Sequence, residues 1–146
     1  MIRYTTGNLL DDPAKALVNP VNCVGVMGRG LAKEFKARFP DNFQKYEAAC
    51  AAAFVFLGSM FVTETGGKII VNFPTKQHWR NPSRMAWITT GLAALRAEII
   101  ARNIRSVAVP ALGCGLGGLP WPGVRMLIER YLGDLPDVDV VVYEPL

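Results

Sequence analysis

Apolar residues in this chain gather into short, dense runs separated by polar or glycine-rich stretches, and the runs have two different lengths. Ile2–Thr5, Ala16–Pro20, Ser59–Thr63, Lys68–Phe73, Ser106–Val109 and Val138–Tyr143 are brief and mostly rich in Val and Ile, as buried strands are. Longer segments carry helical spacing: Leu31–Phe39, with Leu31, Phe35 and Phe39 on one face, then Phe43–Ala53, about Ser83–Arg102, and Trp121–Leu132. Pro40 stops the first helix, Asn81-Pro82-Ser83 signals entry to the long one, and Asn103 is a plausible end for it. Thr65-Gly66-Gly67 predicts a hairpin between the third and fourth strands, and so a mixed sheet. Helices alternating with buried strands predict an α/β fold, a three-layer α/β/α sandwich. With no repeat, low-complexity tract or linker, residues 1–146 read as a single domain.

Composition narrows the classes. Half of the chain is apolar, enough for a proper core. No apolar run approaches a membrane span, since Ala48–Leu57 is too short, and Met1-Ile2-Arg3-Tyr4 resembles no signal peptide. Cys23, Cys50 and Cys114 lack metal-type spacing, which predicts a reducing cytoplasm and no metal. No cofactor is implied.

Two glycine loops change the picture from fold to chemistry. After the Ser106–Val109 strand comes Pro110-Ala111-Leu112-Gly113-Cys114-Gly115-Leu116-Gly117-Gly118, and then a helix. A loop with so few side chains lets backbone N–H groups approach a ligand and converge as an anion nest. It has neither the Gly-Lys-Ser/Thr ending of a P-loop nor a G-x-G-x-x-G near the chain start, and alone it also suits a plain tight turn. The second loop, Asn22 to Gly30 with Gly25, Gly28 and Gly30, again joins a strand to a helix. If both strands are parallel, the loops meet at the carboxyl edge of the sheet, where open α/β sheets bind ligands. Two facing amide-rich loops suit a diphosphate.

A net charge of +4 favours an anionic partner. Lys76-Gln77-His78-Trp79-Arg80-Asn81-Pro82-Ser83-Arg84 interleaves cations with aromatic rings, which suits single-stranded nucleic acid, phosphates on the cations and a base on Trp79. The alternative is a solvated loop with a packed Trp. Cys114 is a poor candidate nucleophile, because His78 is the one histidine available as a base.

Gly7-Asn8-Leu9, Asn19-Pro20-Val21-Asn22, Met27-Gly28-Arg29-Gly30 and Gly113-Cys114-Gly115-Leu116-Gly117, in that order, resemble a macrodomain across the whole chain. Asn72-Phe73-Pro74-Thr75-Lys76 followed by His78-Trp79-Arg80 resembles the lysine-type branch that includes the DarG DNA ADP-ribosyl glycohydrolases, antitoxins that oppose a DarT-type toxin. That resemblance implies a six-stranded mixed sheet with ADP-ribose lying across the strand ends. The Gly113–Gly117 loop and the Val26–Gly30 loop would clamp the diphosphate and distal ribose, with Pro110, Leu112 and Thr75 alongside. Adenine would sit near Gly7, Asn8, Leu9 and Tyr143. Most macrodomains have Asp where Asn8 stands, so a neutral acceptor is expected to hold adenine less tightly.

The same resemblance implies chemistry. Lys76 would attack the anomeric carbon of the distal ribose through a Schiff base, its pKa lowered by burial and by Arg29, Arg80 or Arg84. Asn22 would orient the ribose or the scissile bond. A eukaryotic relative has an assisting aspartate where Gly117 stands, and no acid occurs from Ser106 to Gly123. His78, Trp79, Arg80 and Arg84 would contact DNA. The implied substrate is ADP-ribosylated thymine in single-stranded DNA. Alternatives are hydrolysis of ADP-ribosylated protein carboxylates or of an ADP-ribose phosphate ester, and a non-catalytic ADP-ribose reader. The toxin would be a partner through a region beyond the macrodomain.

Overall fold

The computed structural model describes all residues, 1–146. Its six strands form one sheet in the order β1-β6-β5-β2-β4-β3. Strands β1 (Ile2–Thr5), β2 (Ala16–Val21), β4 (Lys68–Pro74), β5 (Ser106–Val109) and β6 (Asp139–Tyr143) pair in parallel, and β3 (Phe61–Thr65) lies antiparallel to β4. Period-two alternation sends successive side chains to opposite faces. Ile69, Val71 and Phe73 of β4 enter the larger core and Ile70 the second; Val107 and Val109 flank Ala108 in the same way, and Val140 and Val142 flank Val141.

The larger core lies under α3 (Met85–Ala101) and α4 (Trp121–Leu132), which contribute Ile88, Leu92, Leu95, Ile99, Val124, Ile128 and Leu132. On the opposite face, α1 (Gly30–Arg38) supplies Phe35, and α2 (Pro40–Ala51) supplies Tyr46 and Ala49. The three-layer sandwich and its mixed sheet are therefore as the apolar pattern predicts. Helix α3 sits so close to β4 that a Cβ on Gly91 would lie 2.3 Å from the Phe73 ring. That contact fixes the strand from which Thr75 and Lys76 emerge.

Asn72 of β4 points the other way, into a buried amide network. Its Nδ2 donates to Asn42 Oδ1 at 2.8 Å and to the Phe61 carbonyl at 3.0 Å. Its Oδ1 accepts from Asn42 Nδ2 and from Asn19 Nδ2, both at 3.1 Å. The Thr63 hydroxyl closes the set on Asn42 Oδ1 at 2.6 Å. This network joins α2, β2, β3 and β4 beneath the glycine loop after β2, where Asn19 Nδ2 also reaches Met27 Sδ at 3.7 Å.

Boundaries differ from the sequence reading where a local rule is stronger than periodicity. Pro40 does end α1, but it also occupies the first turn of α2, where its missing N–H has no intrahelical role. Helix α2 closes earlier than Ala53, which takes a left-handed φ of 61°. The hairpin turn holds only Gly66 and Gly67, with φ of 57° and 77°, so Thr65 stays in the ladder opposite Lys68 and β3 is shifted accordingly. Helix α3 begins at Met85 because Ser83 is buried against the glycine loop after β5. One 3-10 turn, Leu9–Asp11, was not expected.

Candidate functional site

All five parallel strands end at one edge of the sheet, and their following residues line a single cleft of about 1040 Å³. The strand order sets its long axis. At the β1–β6 end lie Gly7, Asn8, Leu9 and Tyr143; at the β4 end lie Lys76, Trp79 and Arg80. Between them, the loop after β2 and the loop after β5 form opposite walls.

Both walls are built from unpaired amides. In the loop after β5, the N–H groups of Cys114, Gly118 and Leu119 are spent on Ala111, Gly115 and Gly113 carbonyls at 3.1, 3.1 and 2.9 Å. The amides of Gly115, Leu116 and Gly117 have no such partner. Gly113 needs its glycine for a φ of 74°, and Gly117 because a Cβ would lie 2.5 Å from the Gly113 carbonyl oxygen. Opposite, Gly28, Arg29 and Gly30 lead into the first turn of α1, whose amides have no side-chain cap. Free N–H groups at a helix start, facing a second set across a cleft, make a site for an anion with negative charge on two sides.

Asn22 organises the first wall. Its Oδ1 accepts from the N–H of Val24 at 3.0 Å and of Val26 at 3.5 Å, while Nδ2 donates to the Val26 carbonyl at 2.8 Å. The Tyr46 hydroxyl lies 2.8 Å from both its side-chain and its backbone oxygen. Asn22 thus shapes the loop from within, although it also lines the cleft.

Lys76 is brought beside Asn22 by the β2–β4 register, which pairs Val21 with Pro74 and continues as the Cys23 N–H donating to the Gln77 carbonyl at 2.9 Å. Lys76 is half-buried, and that burial holds its pKa below the ordinary lysine value. The shift has no contribution from Arg29, Arg80 or Arg84, contrary to the sequence expectation. Thr75 is buried, with its hydroxyl 3.5 Å from the Val21 carbonyl. Next to Lys76, the exposed Trp79 ring carries the Arg80 guanidinium at 4.7 Å on one side and lies 5.1 Å from the His78 ring.

At the far end, Asn8 Oδ1 accepts from the Leu10 N–H at 3.1 Å and so caps the 3-10 turn. Tyr143 donates its hydroxyl to Asp12 Oδ2 at 2.6 Å, and burial together with that carboxylate pushes its pKa up to about 12. The tyrosine therefore stays neutral and fixed in direction.

A family model for the macro domain matches residues 18–128. This chain belongs to the macrodomain family. The macrodomain is 50% identical over 150 residues to a Thermus aquaticus protein named DNA ADP-ribosyl glycohydrolase, covering all of this chain and 42% of that protein. It superposes on the macrodomain of Mycobacterium tuberculosis DarG with a TM-score of 0.98 at 51% identity, over 100% of this chain and 99% of that one. It also matches Thermosipho africanus DarTG in complex with ADP-ribose, with a TM-score of 0.93 at 36% identity, over 99% of this chain and 42% of that one. The macrodomain thus spans about two-fifths of the length of the curated relatives it matches.

Of the residues singled out from sequence, the cleft gathers Gly7, Asn8, Leu9, Asn22, Val26, Gly28, Arg29, Gly30, Thr75, Lys76, Pro110, Gly113, Gly115, Leu116, Gly117 and Tyr143, with Trp79 and Arg80 at its mouth. Met27 and Leu112 are buried in the two cores instead. Cys114 packs against the larger core, its thiol 3.7 Å from the Leu112 carbonyl and its pKa raised by burial, so it is not a ready nucleophile. His78 and Arg84 stay outside the cleft; Arg84 lies over the Trp87 ring at 5.6 Å. The sequence reading missed the two carboxylates of the cleft, Glu34 on α1 and Glu144 after β6. Each stands in an ordinary polar position of its element, so periodicity carries no signal for it. Glu34 shares a shallow neighbouring pocket with Asn8, and Glu144 follows Tyr143, so both belong to the end away from Lys76.

Proposed function

We propose that this macrodomain is a DNA ADP-ribosyl glycohydrolase that removes ADP-ribose from thymine bases of single-stranded DNA. The observation that carries this reading is the position of Lys76: half-buried, lowered in pKa, and at the end of a cleft whose two walls suit a diphosphate. Relatives named for this activity, at 50% and 52% identity across the chain, support it. Residues 1–146 act as one catalytic unit, with ADP-ribose running from Asn8 and Tyr143 to Lys76.

Chemistry follows from that placement. A neutral Lys76 amine forms a bond to the anomeric carbon of the distal ribose, and the carbon–nitrogen bond to the base breaks with its electron pair going to the base nitrogen. The attacking amine sheds a proton, which is the one at hand for the departing base, since both cleft carboxylates lie at the opposite end. Opening of the ribose ring gives an imine with Lys76. Water then adds to the imine carbon and expels the lysine, leaving ADP-ribose and free enzyme. Asn22 acts on this step through the loop it shapes. Trp79 and Arg80 receive the modified base and its neighbouring phosphate.

The reaction belongs in the cytoplasm, where a DarT-type toxin would be the opposing partner; a relative named as a fusion of the transferase and the glycohydrolase supports that pairing. No helix is long and apolar enough to cross a membrane. The decisive experiment measures ADP-ribose release from a thymine-ADP-ribosylated single-stranded oligonucleotide, wild type beside Lys76→Ala. Release by the wild type alone is expected. Binding of ADP-ribose without release by either protein would reduce the macrodomain to a reader.

A further inference from the structure

Two buried side-chain polar atoms have no hydrogen-bond partner in the protein, Asn19 Oδ1 and Ser83 Oγ. The first ends the asparagine network. The second stands directly behind the glycine loop after β5. Ser83 is only 6% exposed, and its N–H donates to the Gly117 carbonyl at 3.0 Å. A Cβ on Gly117 would lie 2.4 Å from Ser83 Oγ and 2.5 Å from the Gly113 carbonyl oxygen, so those two oxygens flank one point that no side chain fills. A Cβ on Gly113 would lie 3.2 Å from Ser83 Cβ. Ser83 therefore occupies the space left by both glycines.

A buried hydroxyl without a partner is destabilising, and alanine would keep the same Cβ contacts without that penalty. The residue type makes sense if the hydroxyl gains its partner when the cleft is occupied. Gly115, Leu116 and Gly117, whose amides have no partner, line the cleft, and an anion drawing those amides inward would shift the carbonyls behind them. The Gly113 carbonyl oxygen flanks the same point as Ser83 Oγ: one lone pair takes the Leu119 N–H at 2.9 Å, and the other remains open. Ser83 also closes the segment that begins at Lys76 and carries Trp79 and Arg80.

We propose that Ser83 is a positioning residue whose hydroxyl donates to the Gly113 carbonyl in the ligand-bound state, locking the glycine loop onto the segment that carries Lys76. This rests on the reading of the cleft as an ADP-ribose site. The test compares wild type and Ser83→Ala by thermal unfolding without ligand, and by calorimetry and stopped-flow binding with ADP-ribose. The variant is expected to unfold no earlier than the wild type, yet to bind ADP-ribose about five- to tenfold more weakly through faster dissociation. Equal affinity would overturn the proposal. So would an unfolded or clearly destabilised variant without ligand, because the serine would then be a packing residue. A wild type that does not bind ADP-ribose would instead refute the reading of the cleft, and the Ser83 proposal with it.

Discussion

The Lys76 ammonium donates to the backbone carbonyl oxygen of Trp79 at 3.1 Å. Proposed nucleophile and proposed base platform are thus held by one short turn, three residues apart, and neither can move far without the other. The bond engages one of three donors on the charged amine. It leaves the lone pair of the neutral amine free, since that form can keep donating to the same carbonyl.

Protonation of Lys76 should set the pH dependence of turnover. Its pKa lies below the ordinary 10.5 because burial penalises the charged form. kcat/KM is expected to rise with pH and level off above the folded-state pKa, at a lower pH than an exposed lysine would allow. The sign for stability agrees: the unfolded chain binds the extra proton in the window between the folded pKa and 10.5, so this group makes folding more favourable as pH rises through that window. Lys76→Arg keeps a cation but cannot form an imine, and its turnover should fall by about 10⁴-fold or more at every pH. An active Lys76→Arg enzyme would remove the lysine from the chemistry.

Trp79 should separate DNA from free ADP-ribose. Trp79→Ala is expected to weaken binding of the modified oligonucleotide by about 1–3 kcal/mol, the worth of one stacked base. Calorimetry with ADP-ribose alone should show little change, and Trp79→Phe should recover part of the loss. Equal losses for both ligands would place Trp79 in the ADP-ribose site rather than the DNA track.

Gly117 has no room for the aspartate that the resemblance implies at this position in a eukaryotic relative. Any Cβ there meets the Gly113 carbonyl oxygen at 2.5 Å and Ser83 Oγ at 2.4 Å. Gly117→Asp is expected to lower stability by about 1–3 kcal/mol by overpacking and to abolish ADP-ribose binding. Thermal unfolding and calorimetry on the one variant read both effects.

Asn72 offers a check on the scaffold that leaves the cleft lining untouched. Asn72→Ala strands the amides of Asn42 and Asn19 in the interior, for a loss of about 3 kcal/mol. In a domain of this size that corresponds to a fall of about 10 °C in Tm. A shift within error would mean that the network is relieved by repacking.

What was legible in the sequence follows the strength of local signals. The strands β1 and β5 and helix α4 begin and end where their apolar runs do; β5 and α4 are bordered by glycine, proline or polar residues on both sides, and β1 by Thr6 at its end. Both glycine loops were legible as the walls of a cleft, since such backbone walls announce themselves by missing side chains. Side-chain direction was not. Met27 and Leu112 lie in the right loops and face inward, a property of loop curvature that no spacing encodes. The turn at Leu9–Asp11 is too short to show a period. The Asn81-Pro82-Ser83 signal was sound chemistry for a helix cap, but Ser83 is used by tertiary packing and Arg84 takes the cap position with no side-chain bond.

The wall formed by Gly113, Gly115, Leu116 and Gly117 contains no group that titrates. Its grip on an anion comes from peptide dipoles whose strength does not vary with proton concentration, whereas the amine at the cleft's end gains and loses a proton. Retention and turnover are therefore governed by different physics. Below the folded-state pKa of Lys76, a glycohydrolase of the proposed kind would hold its ligand and leave it uncut, passing from hydrolase to tether by protonation of one side chain.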